Sequence, residues 1–155
     1  MENRRINISQ VVLENDKRVI DCIGECGLLE GLRFLNAAGL NDVFCVLNRP
    51  AHLSEGQKWR FRLAMAMAAG KEFIFADEFC SNLDRITAAV IAFNVRRFAK
   101  KKGVTFVLAS SHDDIAVDLE ADVLIVKELA GPAKVTYRQK GRENAAVQCS
   151  KQVEN

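Results

Sequence analysis

Residues 53–84 read LSEGQKWRFRLAMAMAAGKEFIFADEFCSNLD, a helix start, an apolar helix, an apolar strand, two acids and a polar turn. Ser54 with Gln57 three residues later is a capping box: the serine oxygen accepts from a first-turn N–H and the glutamine side chain reaches back. Pro50 lies upstream, and Trp59, Phe61, Leu63, Met65 and Met67 follow, so a helix is predicted here. Most Ser-x-x-Gln sequences are caps and nothing more. Gly56 adds a second signal, because glycine is worse than alanine inside a helix by about 1 kcal/mol and suits a place where a backbone or ligand comes close. A helix N-terminus is also a ready anion site.

Phe73, Ile74, Phe75 and Ala76 form a continuous apolar run, the pattern of a strand covered on both faces. Asp77 and Glu78 follow at its carboxyl end, where open α/β sheets place their ligands. Successive side chains on an extended strand point to opposite faces, so the two acids have separate jobs unless the chain turns there. One can hold a divalent cation through water, as magnesium prefers. The other can orient or deprotonate an attacking water. The plainer alternative is a salt-bridged pair, ordinary for one acid and costly for two beside a buried strand.

Residues 86–101 are predicted as a helix with an apolar stripe at Ile86, Val90, Ile91, Phe93, Val95 and Phe98. Its end carries Arg96, Arg97, Lys100, Lys101 and Lys102, which complement the helix dipole or, as a minority reading, touch nucleic acid. Residues 104–109 form a second buried strand. Strand, helix and strand make a βαβ unit, almost always right-handed with parallel strands. That topology brings His112 to the same sheet edge as Asp77 and Glu78, which makes it a candidate for contacting a terminal phosphate. His52 has no such placement and reads as local structure. A short helix is expected over 114–119, a third strand over 123–126, and an antiparallel edge strand over 134–138 after the Gly131-Pro132 turn. Residues 140–155 read as a frayed tail.

Upstream, apolar positions between 18 and 46 predict two or three short helices broken by Gly27, Gly31 and Gly39. Residues 1–16 are polar and show no clear periodicity. The chain therefore divides into an N-terminal segment with a helical subdomain (1–52), an α/β core (53–139) and a tail (140–155).

With 155 residues, the chain is about one domain, long enough to bury roughly 70% of its unfolded surface. Apolar content of 49% and charged content of 27% are ordinary for a soluble globular protein, and a net charge of +2 with mixed signs marks no partner. No apolar run approaches the roughly 20 residues needed to cross a bilayer, and the N-terminus lacks a signal peptide's apolar core, so no membrane insertion is expected. Five cysteines without CxxC spacing fit a reducing cytoplasm. Cys22 and Cys26 read as buried thiols on one helix rather than metal ligands.

LSEGQ, FIFADE, SNLD and the Ser111-His112 pair resemble, in that order, the signature motif, Walker B, D-loop and switch histidine of ABC-type ATPases. The likeness covers roughly residues 19–138. The wording DEFCSNLDRITA is similar to the ABC-type ATPases fused to acetyltransferase-like domains; the transporter form usually has proline where this chain has Phe79. The resemblance implies a partial P-loop NTPase-like sheet. It also implies ATP and Mg2+ as ligands, with Asp77 holding the metal through water, Glu78 as general base and His112 as sensor of the γ-phosphate. Ser54, Glu55, Gly56 and Gln57 would close over a nucleotide held by another chain, and Asp84 would contact the partner across a homo- or heterodimer interface. Glu55 stands where glycine is commoner and adds negative charge near a phosphate. Gln10, the only glutamine upstream of Leu53, is a candidate for the family's glutamine before the helical subdomain, with a solvated residue as the alternative.

A phosphate-cradling Walker A loop has the form G-x-x-x-x-G-K-[S/T]. The one Gly-Lys pair, Gly70-Lys71, fails it, with Met65 and Glu72 at the flanking positions. The chain therefore reads as the C-terminal part of an ABC-type domain, completed by a Walker A-bearing chain or segment. A non-catalytic interaction module on the same scaffold, and an ATPase arm of a nucleic-acid-processing machine, are the alternatives.

Overall fold

The structure is a computed structural model and describes residues 4–138. It opens with a strand, β1 (Arg5–Asn7), and a 3-10 turn, Ile8–Gln10. Nothing in the polar, aperiodic residues 1–16 announces these elements. Three residues are too few for either periodicity to register, and the strand exists through its pairing with a distant one.

Short helices follow as α1 (Val19–Cys22), α2 (Leu28–Ala37) and α3 (Val43–Leu47), with 3-10 turns at Gly24–Cys26 and Pro50–His52. Gly31 lies inside α2 instead of ending a helix. A β-carbon at Gly31 would sit 3.0 Å from Ile23 Cγ2 and 3.3 Å from the Ile23 carbonyl oxygen, so glycine lets α2 close on that residue. Cys22 is half-buried and Cys26 exposed, and the turn after Ile23 parts them, so the expected pair of buried thiols on one helix does not form. Cys26 Sγ donates instead to the Ile23 carbonyl at 3.0 Å.

The helix predicted from the capping box is α4 (Glu55–Ala68), which buries Phe61, Leu63, Ala64, Ala66 and Met67. It leads to β2 (Phe73–Ala76), α5 (Arg85–Lys102), β3 (Thr105–Leu108) and α6 (Asp113–Leu119). β1, β2 and β3 form a parallel sheet in that order, with Ile6, Ile74 and Phe106 in one row and Asn7, Phe75 and Val107 in the next. Alternation puts Ile74, Ala76, Phe106 and Leu108 on the inner face. They share one buried cluster with Ala88, Ile91, Ala92 and Val95 of α5 and with the buried side of α4. Phe98 bridges the layers, packing edge-on against Phe34 at 6.0 Å and against Phe106 at 6.1 Å.

Two expectations about burial change. The strand at 73–76 is covered on one face only, since Phe73 and Val107 on the other are 38% and 48% exposed. A continuous apolar run anticipates helices on both faces, and the described chain provides them on one. On α5, the outer half of the predicted stripe faces solvent, with Ile86, Val90 and Phe93 at 79%, 51% and 50% exposure. The buried line is Ala88, Ile91, Ala92 and Val95, spaced i, i+3, i+4, i+7.

One compact unit ends at Leu119; a second begins at Glu120 and contains β4 (Val123–Val126) and β5 (Lys134–Tyr137). These pair antiparallel in a two-stranded sheet, so the strand expected at 123–126 joins β5 and not the parallel set. Lys127 Nζ closes the connection by donating to the carbonyls of Glu128 and Gly131, each at 2.8 Å. The expected tail over 140–155 lies outside the described residues. Among the described residues no helix is long and apolar enough to cross a membrane.

Candidate functional site

Because β1, β2 and β3 are parallel, their carboxyl ends meet at one rim of the sheet. β1 brings Gln10 there through its 3-10 turn, β2 brings Asp77 and Glu78, and β3 brings Ser110, Ser111 and His112. Pairing continues past the strands: the Ala109 N–H donates to the Ala76 carbonyl at 2.9 Å and the Phe79 N–H to the Ala109 carbonyl at 2.7 Å. The imidazole and the two carboxylates therefore sit on neighbouring connections of one edge, and all three are exposed. The His112 N–H donates to Ser110 Oγ at 3.2 Å.

The chain turns as soon as β2 ends. Glu78 has φ 49° and Cys80 φ 62°, left-handed values rare outside glycine. Asp77 Oδ1 accepts from the Glu78 N–H at 3.0 Å, so the acids lie on a turn and not on an extended strand. Phe79 is fully buried between them and Cys80. Its ring meets Trp59 of α4 edge-on at 5.5 Å, and its carbonyl accepts from Ser110 Oγ at 3.3 Å. Burial pushes the Cys80 thiol up to about 12. Asp84 then caps α5, accepting from the Thr87 N–H at 2.9 Å. Hydrogen bonding from Thr87, by side chain and then by backbone, holds the Asp84 carboxyl below the usual carboxylate range.

At the start of α4 both halves of the capping box are made. The Ser54 N–H donates to Gln57 Oε1 at 2.9 Å, and the Gln57 N–H donates to Ser54 Oγ at 3.2 Å. Gln57 Nε2 also donates to Cys45 Sγ at 3.0 Å, a tie to α3 that spacing could not reveal. Glu55 pairs with Lys58 at 2.8 Å, and this hydrogen bond holds its carboxyl low. The close neighbour anticipated at Gly56 is the chain's own turn, since a β-carbon would lie 3.2 Å from Leu83 Cδ2 and 3.4 Å from the Asn82 carbonyl. The amides of Glu55 and Gly56, in the first turn, have no partner within the helix. Thus the site residues form two groups. Asp77, Glu78 and His112 share the rim; Ser54, Glu55, Gly56 and Gln57 lie against the turn that ends in Asp84. Trp59 and Phe79 connect them.

His52 is local structure, with Nδ1 3.1 Å from Asn48 Oδ1. Arg60 donates to the Gly39 and Gly56 carbonyls, and Arg62 to that of Val11. Arg97 lies over the Phe93 ring at 5.7 Å, and Lys102 is 3.7 Å from Glu30. Among the described residues no three of His, Cys, Asp and Glu converge as a metal cluster. Magnesium asks for less: one or two carboxylates, with water and phosphate oxygens completing its shell, and the exposed Asp77 at the rim fits that role.

No family model matches the chain. Among curated proteins it is 30% identical over 109 residues to the phosphonates import ATP-binding protein PhnC of Lactococcus lactis, covering 70% of this chain and 42% of that protein. It is 31% identical over 135 residues to the putative oligopeptide transport ATP-binding protein YkfD of Bacillus subtilis, covering 86% of this chain and 40% of the relative. The chain thus spans well under half the length of these relatives. The fold matches the bacterial ABC transporter cassette MJ0796, seen as a dimer, with a TM-score of 0.67 at 22% identity, over 79% of this chain and 58% of that one. The same cassette in a post-hydrolysis state bound to ADP and Pi matches equally, with a TM-score of 0.67 at 21% identity. By sequence the chain is similar to ABC transporter ATP-binding proteins, and its fold matches the C-terminal part of the ABC cassette.

Proposed function

We propose that the chain supplies the signature, Walker B, D-loop and switch residues to ATP hydrolysis, with the phosphate-cradling loop coming from another segment or chain. One observation carries this reading: three parallel strands deliver Gln10, the Asp77–Glu78 pair and His112 to a common rim. Catalysis of phosphoryl transfer is chiefly positioning and charge stabilisation, which a rigid sheet edge is suited to provide. Asp77 would hold Mg2+ through water, and the metal would supply positive charge against the phosphates. Glu78 takes the proton of the attacking water and His112 donates to the terminal phosphate. The first-turn amides of Glu55 and Gly56, with Ser54 and Gln57, close over nucleotide held by a partner, and the Lys58 pairing offsets the extra charge of Glu55. Asp84 meets the partner in a homo- or heterodimer, a reading supported by the dimeric state of the matching cassette. The place of action is the cytoplasm, and the wording of residues 77–88 favours kinship with the acetyltransferase-fused group.

The test is Glu78→Gln in the assembly completed by a Walker A-bearing partner. ATP turnover is expected to fall at least a hundredfold while ATP binding persists. An unchanged rate would replace this reading with that of a non-catalytic interaction module.

A further inference from the structure

The turn after β2 holds two non-glycine residues in the left-handed region with a fully buried phenylalanine between them. Each such residue is strained and persists only where its surroundings over-determine it. Here the constraints converge on Phe79. Its N–H and carbonyl are both engaged by the end of β3, through Ala109 at 2.7 Å and Ser110 Oγ at 3.3 Å. Its ring is engaged by Trp59, one turn into α4, at 5.5 Å and 69°. Glu78 itself is exposed, and its backbone is held by the Asp77 carboxylate on one side and the Ser81 N–H on the other, so the direction of its side chain follows from the turn that Phe79 anchors.

We propose that Trp59 and Phe79 are a positioning pair that holds the 77–80 turn left-handed and ties the direction of the Glu78 carboxylate to helix α4. Neither residue touches nucleotide; they act through the backbone of Glu78. Since α4 begins at the Ser54–Gln57 group, the aromatic contact ties that helix start to the 77–80 turn, alongside the approach of Gly56 to Asn82 and Leu83. The consequence for catalysis rests on the hydrolytic role proposed above, whereas the hold on the turn does not.

The hold is read on the chain by itself, from the 13Cα and 13Cβ chemical shifts of Glu78 and Cys80. Trp59→Phe keeps an aromatic edge and should leave both residues with left-handed shifts. Trp59→Leu should move both towards right-handed or extended values while shifts elsewhere stay native. Unmoved shifts in Trp59→Leu overturn the pair. Should that variant not fold, Phe79→Leu probes the same contact from the other side, where the chain's single tryptophan should also change its emission. The link to Glu78 is read in the completed assembly. Trp59→Leu should lower kcat at least fivefold with the KM for ATP within twofold, and Trp59→Phe should restore it. An unchanged kcat, or kcat and KM altered together, ends the coupling. An inactive wild-type assembly would instead refute the proposed hydrolysis and leave the chemical shifts to decide the pair.

Discussion

At position 56 a hydrogen in place of a methyl sets how near the turn of residues 82–84 can come to α4. The alanine β-carbon would meet a side-chain end at 3.2 Å and a backbone oxygen at 3.4 Å, and only the first can yield easily. Gly56→Ala gains up to about 1 kcal/mol of helix propensity and loses a similar amount to that contact. Urea unfolding should therefore show a net change within about 1 kcal/mol, while the amide shifts of Asn82, Leu83 and Asp84 move and turnover in the completed assembly drops. Unmoved shifts would show that the turn does not depend on this glycine. Cys80 offers a second residue-level test. Its thiol is raised from 9.0 to about 12 by burial, so the folded state disfavours the thiolate. The contribution is intact below about pH 9, where the unfolded thiol begins to ionise, and is lost as pH rises towards 12. Within that window wild-type stability should fall relative to Cys80→Ala by at most about 1.4 kcal/mol per pH unit; parallel curves would contradict the burial. The glycine was legible because a helix start rarely tolerates one without a neighbour. The cysteine was not, since its burial follows from a left-handed turn that no local pattern announces.

Helix α5 shows how an element's ends and faces differ in what they reveal beforehand. Its start is set by Asp84, whose carboxylate accepts from the Thr87 N–H, a cap that the prediction over 86–101 does not name, whereas its basic last turn follows the dipole as expected. Its buried face was misjudged, because alanines at 88 and 92 carry the contact and size-based stripes pass over them. β1 escaped for a related reason: three residues acquire strand identity only from Phe73, Ile74 and Phe75 beside them. The order and parallel sense of β2, α5 and β3 needed no such partner, since a βαβ crossover has essentially one handed solution. Asp84 carries two assignments, helix cap and proposed partner contact, and they can be separated. Asp84→Ala should lower the melting temperature of the chain by roughly 2–4 °C. Asp84→Ser, which can still accept from the Thr87 N–H, should recover most of that loss. If Asp84→Ser is also slow in the completed assembly despite its recovered stability, the carboxylate serves the partner as well. A serine variant as unstable as the alanine one would remove the cap as the explanation.

At the scale of the whole fold, the dominant physical fact is that, among the described residues, the parallel sheet is covered on a single face. Parallel sheets are stable when helices lie on both sides, and here Phe73 and Val107 remain open on one. The chain also spans 58% of the dimeric cassette's length and 42% of a curated relative's. A polypeptide carrying a phosphate loop followed by an amphipathic helix, added in trans, should cover that face. Burying two or three large side chains is worth on the order of a few kcal/mol, so the midpoint of urea unfolding should rise and the β2 and β3 amides should gain protection from hydrogen exchange. Calorimetry gives the matching nucleotide result. The chain alone has the acids and the histidine but no loop to cradle phosphates, so its dissociation constant for Mg-ATP should be about 1 mM or weaker and should tighten strongly in the complemented pair. A micromolar constant for the chain alone would mean that the rim binds triphosphate without the loop. No protection at β2 and β3 on complementation would mean that the open face belongs to some other partner.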